Sequence, residues 1–277
     1  MLEETLRQCP EKERRDEDPV SALWRYEAPE DQEVVGLVAS GLAYGRVALV
    51  RTAVAQALLP LGAHPAATLR DEEPLRWPEE FRSFRYRMTG GEDLADLYAA
   101  IHATLQAEGS LQAAYLAGRT APIQTRTEHL QAASSFVSRL RERRWREKEA
   151  RGFAYLLPNP ADGSACKRLH LFFRWMARGP DPIDLGIWPG LDPAALIMPL
   201  DTHTGRLCAY LGLLTRKTID GKAAVEVTDR LARLDPDDPL RYDFALCHLG
   251  ISQQCIHRYS DEHCPFCPIE SACRLAK

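Results

Sequence analysis

The chain has 277 residues, of which 45% are hydrophobic and 27% charged, with a formal net charge of −4 at pH 7. This composition supports a folded core in one large domain or two lobes. It also excludes a spanning helix, because no apolar run reaches the roughly 18 residues required. The polar N-terminal segment does not resemble a signal peptide, so we expect a cytoplasmic protein without a membrane partner.

The acidic total counts against a strongly basic nucleic-acid binder. Charge is unevenly distributed, however, since residues 139–178 hold eleven Lys and Arg against four Asp and Glu. This run predicts either a local positive face or a solvated helix of mixed charge.

Apolar residues recur at helical spacing along most of the chain, and the alternation typical of strands is nearly absent. The charged residues 1–18 predict a flexible N-terminus. Glycine and proline then mark the ends of predicted helices. These helices cover residues 33–45, 46–62, 94–109, 110–118, 127–152, 165–179, 200–214, 221–234 and 240–255. We therefore predict an all-α fold.

Four of the eight cysteines lie in the last 23 residues, at the spacing C-x8-C-x2-C-x5-C. They are Cys255, Cys264, Cys267 and Cys273. In a cytosolic protein, clustered cysteines favour metal ligation over disulfides. Four soft thiolates suit an iron–sulfur cluster or zinc, and the spacing alone does not decide between them.

Two ionisable side chains follow turn signals. Lys167 lies just inside a predicted helix that follows the turn DGS, where Gly163 permits a tight turn and exposed N–H groups attract anions. Partial desolvation near Arg168 would lower the pKa of this lysine and make it a nucleophile, whereas a lone lysine is usually a solvated surface residue. Asp201, in PLDTHTGR, stands at a helix start, where it serves as an N-cap or as a catalytic carboxylate.

The order of these motifs resembles the endonuclease III and adenine-glycosylase branch of the helix–hairpin–helix DNA glycosylases. The matching segments are DGSACKRL, LDTHTGRL, YDFALCHLGISQQC and the cysteine tail, and VASGLAYGRV resembles an early helix pair whose turn contacts DNA. The chain also resembles an uncharacterised-domain family with the hallmarks GSxCKRLxLFxRWMxR, DLGxW, PLDTH and YDFALxxLGI. The resemblance covers about residues 18–275.

The resemblance implies one domain over residues 19–277 with two helical lobes and a cleft. One lobe covers residues 60–150, and the other covers 19–59 with 151–254, followed by a metal loop over 255–277. Lys167 would form a Schiff base, Asp201 would be the catalytic carboxylate, and the four tail cysteines would hold a [4Fe–4S] cluster, with zinc as the alternative. The expected DNA contacts are Gly163, Ser164, Arg168, Tyr44, Arg46 and His203, and the expected base pocket draws on Trp175 and Trp188.

Three features depart from the glycosylase pattern. Ala165 replaces the second hairpin glycine, and the first cysteine gap is eight residues instead of six. Lys167 and Asp201 are 34 positions apart, nearly twice the endonuclease III spacing and similar to that of the archaeal 8-oxoguanine glycosylases.

We therefore predict a monomeric repair enzyme that flips a nucleotide out of damaged duplex DNA. It would excise the base through Lys167 and Asp201 and then nick the strand. Two alternatives remain: a non-catalytic DNA- or RNA-binding protein on the same scaffold, and an interaction protein in which the metal only stabilises the fold.

Overall fold

The computed structural model describes residues 2–251 and 255–275, and its secondary structure is almost entirely helical. Two short strands, β1 (Arg85–Tyr86) and β2 (Thr89–Gly90), form an antiparallel pair. The α-helices are α1 (Leu2–Arg7), α2 (Glu11–Glu17), α3 (Pro29–Leu42), α4 (Val47–Leu58), α5 (Pro65–Asp71), α6 (Trp77–Glu80), α7 (Gly91–Glu108), α8 (Leu111–Leu116), α9 (Arg126–Glu142), α10 (Arg151–Leu156), α11 (Lys167–Ala177), α12 (Thr202–Tyr210), α13 (Gly221–Leu231) and α14 (Asp243–Ile251). The prediction of an all-α fold is confirmed.

Helix α3 lies at the centre of the larger core. Every residue from Asp31 to Leu42 is buried, as expected of a helix that other elements surround on all sides. It packs along α11, and Gly36 permits the close approach, since a Cβ there would lie 2.9 Å from the Met176 side chain. This packing fixes the position of α11, which carries Lys167.

The predicted helix over residues 127–152 ends at Glu142. The arginines that follow turn toward acidic residues of α7 instead of continuing the helix. Their ion pairs are Arg143 with Glu108 (2.6 Å) and Arg146 with Asp93 (2.8 Å) and Asp96 (2.6 Å). Arg139, Arg141 and Arg144 donate to backbone carbonyls. Arg143 and Arg146 are therefore neutralised by ion pairs, and the other three arginines are held against the backbone, which favours the mixed-charge interpretation over an open positive face.

Two main apolar clusters form the core. The larger one extends from Val20 to Leu196 and is closed by Leu240 and Phe244. The smaller one joins α12, α13 and α14, and Leu2 of α1 packs into it. This division near residue 196 differs from the predicted lobe boundaries at residues 60 and 150, and the predicted lobes and cleft stay a prediction.

The charged N-terminal segment, predicted to be flexible, forms α1 and α2 over its described residues. The Tyr242 hydroxyl donates to the Glu3 carboxylate at 2.5 Å, and Arg15 donates to the Pro182 carbonyl at 3.2 Å. These contacts bring Asp18, at the end of the segment, beside the pocket described below. The mobility of the segment stays a prediction.

Among the described residues, no single helix has the length and apolar character needed to cross a membrane. One pair of helical segments, Val47–Leu61 and Pro65–Asp71, passes the same test together by length and composition alone. The two segments are bent by 55° at the break between them.

Candidate active site

Lys167 and Asp201 meet where two helices begin. Lys167 is the first residue of α11, and Asp201 is the N-cap of α12. Lys167 Nζ donates a hydrogen bond to Asp201 Oδ2 at 2.7 Å. The two side chains are 27% and 28% exposed, so both are accessible to a ligand. The expected convergence of amine and carboxylate is present, whereas their catalytic roles stay predictions.

The two carboxylate oxygens of Asp201 have separate partners. Oδ1 accepts hydrogen bonds from the backbone N–H groups of His203 and Thr204, each at 2.9 Å, which is N-cap geometry. Oδ2 contacts Lys167. The capping and catalytic interpretations of this aspartate are therefore compatible, because each uses a different oxygen.

Helix α11 follows an exposed turn at the predicted hairpin. Gly163 has φ of 78°, and a Cβ there would meet open space, so glycine is favoured for its backbone conformation and not for lack of room. The Gly163 carbonyl accepts the N–H of Gly221 at 2.9 Å, which joins the turn to the start of α13. Gly163 and Ser164 are exposed, whereas Ala165 is buried. The residue in place of the second hairpin glycine therefore faces inward.

The pair of Lys167 and Asp201 is charged at neutral pH. Burial lowers the pKa of Lys167, but electrostatic interactions with Cys247 and Asp201 outweigh it, so the pKa is raised overall. Burial raises the pKa of Asp201, and Lys167 more than reverses this. The expectation of a lowered lysine pKa was wrong, because the carboxylate stabilises the ammonium.

Lys167 also lines a pocket between α4, α11 and α14 with a volume of about 90 Å³. Its other lining residues include the apolar Pro19, Val47, Val50, Leu171, Pro199 and Phe244, together with Asp18, Arg174, Trp175, Asp243, Cys247 and His248. A cavity of roughly 150 Å³ encloses benzene in a protein core. Because this pocket is smaller, it would admit one edge of a nucleobase and not the whole ring.

The charge of Arg174 in this pocket is already compensated. Arg174 is nearly fully buried, donating to Asp184 at 3.2 Å and also to Asp243. Burial raises the pKa of Asp184 to about 6, even though Arg174 and Arg178 oppose the shift. Because a buried ion pair is costly to break, we assign these residues to the support of the pocket and not to ligand binding.

Arg168 does not occupy the predicted DNA surface. Its side chain is buried, and its guanidinium donates to the carbonyl of Gly41 at 2.7 Å and to that of Tyr155. The guanidinium also stacks on the rings of Tyr155 and Tyr44, at 4.0 and 4.9 Å from their centroids. The prediction that Arg168 contacts DNA was wrong, because its hydrogen bonds join α11 to α3 and α10.

Three other predicted DNA contacts differ in exposure. Tyr44 is partly buried, and its hydroxyl contacts the Tyr86 carbonyl at 3.0 Å and Thr89 Oγ1 at 2.7 Å. Arg46 is exposed directly before α4, and His203 is exposed in the first turn of α12. Arg46 and His203 are therefore the side chains of this set that remain accessible to a phosphate.

The two predicted base-pocket tryptophans lie in different environments. Trp188 is buried in the core, where it stacks on Tyr115 and donates to Glu33 Oε1 at 2.6 Å. Its assignment to the base pocket was wrong. Trp175 is equally buried but lines the pocket beside Lys167.

Sequence reasoning missed several pocket residues on α14. Asp243, Cys247 and His248 all line the pocket. Asp243 and Cys247 are four residues apart, as are Phe244 and His248, and this spacing places each pair on one side of the helix. Ionisable residues at this spacing in the otherwise apolar segment YDFALCHLGI were the available signal. Asp18 gave no such signal, because its place depends on how the N-terminal segment packs.

The four tail cysteines line one small pocket together with the buried Ile269. Cys264 Sγ accepts a hydrogen bond from the N–H of Ser260 at 3.3 Å. Burial raises the pKa of Cys255 and Cys267, and neighbouring tail cysteines raise it further. A bound cation would relieve this repulsion between thiolates.

The donor types in this loop fit a metal, although the described side chains include no group of three or more His, Cys, Asp or Glu already arranged to hold one. Four thiols on one pocket, one of them with an N–H···S bond, suit an iron–sulfur cluster or zinc. Residues 252–254, which the predicted last helix includes, lie outside the described residues.

Comparison with known proteins places these features in a family. No curated protein and no solved structure matches the chain. Residues 18–252 match the family described as "Protein of unknown function (DUF2400)". The matched segment contains Lys167, Asp201 and the pocket that Lys167 lines, and it ends just before Cys255. Because the match covers most of its length, the chain belongs to the DUF2400 family of proteins of unknown function.

Proposed function

We propose that the protein is a DNA glycosylase with lyase activity, built on a two-lobed helix–hairpin–helix fold. The observation that carries the proposal is the 2.7 Å contact between Lys167 Nζ and Asp201 Oδ2 beside a pocket. An accessible amine and carboxylate in direct contact can exchange a proton and act together on a substrate. These are the positions that the resemblance assigns to the Schiff-base lysine and the catalytic aspartate.

In the proposed reaction, Asp201 first takes a proton from the Lys167 ammonium. The amine nitrogen then bonds to C1′ of the flipped nucleotide while the bond from C1′ to the base breaks. The bonding electron pair leaves with the base, which takes up a proton from Asp201 or water. The second amine proton passes to O4′ as the bond from C1′ to O4′ breaks, which opens the sugar ring and leaves a protonated imine. Transfer of a C2′ proton to water then forms a double bond between C2′ and C3′ while the bond from C3′ to the 3′ phosphate breaks.

The capping bonds of Asp201 support this role. The N–H groups of His203 and Thr204 hold Oδ1, so the carboxylate keeps its orientation without a substrate. A fixed negative charge in this position stabilises the positive charge that develops on the sugar. Asp201 therefore contributes both proton transfer and electrostatic stabilisation.

DNA binding in this proposal relies on an exposed turn and few basic side chains. Gly163 and Ser164 present that turn, and Arg46 and His203 are exposed at the starts of two helices. Since much of the basic run is neutralised within the fold, we expect few phosphate contacts and a shallow salt dependence of binding. The proposed partner is damaged duplex DNA, bound by a cytoplasmic monomer.

We assign a [4Fe–4S] cluster, with zinc as the alternative, to Cys255, Cys264, Cys267 and Cys273. When bound, the group supplies a cross-link between turns. Ile269 of this loop packs against Leu207 of α12 and Leu249 of α14. Ordering the loop would therefore stabilise the helix that Asp201 caps.

Borohydride trapping tests the catalytic proposal. The wild type is incubated with a panel of duplexes, each carrying one damaged base or one preformed abasic site, and then reduced. We expect a covalent protein–DNA adduct that is lost in Lys167→Ala. The matched control is Lys148→Ala, an exposed lysine that does not line the pocket, and it should keep the adduct. Absence of any Lys167-dependent adduct on every duplex would overturn the proposal.

A non-catalytic nucleic-acid-binding protein is the second candidate. The raised pKa of Lys167 favours it, because a protonated amine is not a nucleophile. This candidate predicts that Asp201→Asn leaves the affinity for DNA or RNA unchanged and that no base is released. Binding and base release measured on the same variant separate the two candidates.

A further inference from the structure

Two aromatic side chains in the pocket beside Lys167 have ring nitrogens without partners. Trp175 is 1% exposed and His248 is 7% exposed. Within the described part of the chain, Trp175 Nε1 and both ring nitrogens of His248 lack hydrogen bonds. Buried polar groups are rarely left in this state, and both residues line the same pocket. Their unused hydrogen-bonding capacity therefore points to a ligand.

The charged groups around this pocket are already engaged. Lys167 contacts Asp201, and Arg174 pairs with Asp184 and Asp243. Asp18 accepts the N–H of Val20 at 2.9 Å. A charged ligand would have to replace one of these partners, so the ligand best suited to this pocket is uncharged.

His248 itself is neutral at neutral pH. Its Nε2 lies 3.8 Å from Asp18 Oδ2, too far for a hydrogen bond. Burial, together with the smaller effect of the charges of Arg14 and Arg174, lowers the pKa of the ring to about 4. A neutral imidazole offers one donor and one acceptor, and the Trp175 indole offers one donor.

We infer that Trp175 and His248 bind the edge of the extruded nucleobase and so determine that the substrate carries a base and is not an abasic site. The inference rests on the proposed function and deepens it. A nucleobase is the flat, uncharged part of a nucleotide, with donors and acceptors along its edge. The apolar Val47, Leu171 and Phe244 offer surfaces for its faces. The pocket volume of about 90 Å³ suits entry by one edge.

The test compares two rates for each variant. One is base release from duplexes containing 8-oxoguanine, uracil or dihydrothymine, and the other is strand cleavage at a preformed abasic site. Trp175→Phe and His248→Phe should each lower the ratio of base release to abasic cleavage at least tenfold, because both remove hydrogen bonds to the base. Thermal melting of each variant shows whether it is folded.

The matched control is Trp77→Phe. Trp77 is also fully buried with an unpartnered Nε1, but it packs against Phe81 and Tyr98 and does not line this pocket. This substitution should leave the ratio of the two rates at the wild-type value. A ratio that is unchanged in both pocket variants, or lowered equally by Trp77→Phe, would overturn the inference.

A binding measurement separates this inference from the proposed function. If no duplex gives base release or a Lys167-dependent adduct, the proposed function fails, and binding then decides the inference. The wild type should bind one of the base-containing duplexes at least tenfold more tightly than a matched duplex with a tetrahydrofuran abasic analogue. Trp175→Phe should abolish that preference. Equal binding of all the duplexes by the wild type would overturn the inference.

Discussion

The pocket beside Lys167 and the C-terminal cysteine loop satisfy their polar groups in opposite ways. In the pocket, the chain supplies partners for most charges, as in the pair of Lys167 and Asp201. In the loop, four thiols share one small pocket, and some of them raise the pKa of their neighbours. The first region is organised by its own side chains, whereas in the second we propose that a bound group offsets the repulsion between thiolates.

The largest expected effect tests the need for a bound group in the loop. Wild-type protein purified without oxygen should contain stoichiometric iron, with a broad brown absorbance, or else zinc. Cys264→Ser with Cys267→Ser should abolish the bound metal, because two of four ligands are lost. Metal analysis and limited proteolysis of the loop provide the measurements. Cys9→Ser, outside the loop, is the control, and a metal-free wild type would contradict the comparison.

The next effect separates chemistry from folding in the pocket. Asp201→Asn keeps an oxygen that caps α12 but removes the charge that faces Lys167, so adduct formation should fall by about 10²–10⁴-fold. Its stability should remain close to wild type. Asp201→Ala should also lose about 0.5–2 kcal/mol from the free energy of unfolding, since the cap is gone. Trapping rates and urea unfolding measure the two effects. Equal stability of the two variants would contradict the claim that the cap and the charge of Asp201 have separate roles.

A third prediction concerns the buried ion pairs that support the pocket. Arg174→Met leaves Asp243 buried without its partner and leaves Asp184 with Arg178 alone. The free energy of unfolding should fall by about 3–5 kcal/mol. Arg82→Met, which breaks an exposed pair with Glu79, should change stability little. Urea unfolding of the two variants gives the comparison. A similar loss of unfolding free energy in both would show that the buried ion pairs stabilise the fold no more than the exposed pair does.

The smallest effect is a pH dependence of stability from buried histidines outside the loop. Burial lowers the pKa of His170 to about 4, below the ordinary value of 6.5. The unfolded chain binds a proton at this residue as pH falls below about 6.5, whereas the folded chain does not until about pH 4. Stability is therefore fully present above that range and falls within it, by at most about 1.4 kcal/mol per pH unit.

Urea midpoints at pH 7.5 and pH 5 measure this dependence. His170→Phe should show a smaller difference between the two midpoints than the wild type. His263→Ala, an exposed change in the loop, should not alter the difference. If wild type and His170→Phe respond to pH identically, the buried ring does not contribute to acid destabilisation.

Local patterns in the sequence predicted most helices and the two key side chains. Helical periodicity located α3, α7, α11 and α13, because each buries an apolar face. Turn and cap signals placed Lys167 and Asp201 at helix starts, where the structure has them. The contact across 34 residues came from the family resemblance, since periodicity contains no information on distant contacts.

The failures of sequence reasoning involve partners far away in the chain. Arg168 has a buried guanidinium because it reaches the Gly41 carbonyl, 127 residues earlier. Trp188 is in the core because Glu33, 155 residues earlier, accepts its N–H. The helix predicted over residues 127–152 ends early because Arg146 pairs with Asp96 of α7. Each case needs the packed fold, which local propensity does not specify.

The double use of Asp201 has a consequence for how activity is inferred across the family. One of its oxygens caps α12 and the other faces Lys167, so selection for folding alone would retain this aspartate in a descendant that had lost catalysis. Lys167 Nζ has Asp201 as its hydrogen-bond partner and lies at the pocket. Under the proposed function, the identity of the residue at position 167 is therefore the better marker of an active member, and an aspartate at 201 is informative only when a lysine accompanies it.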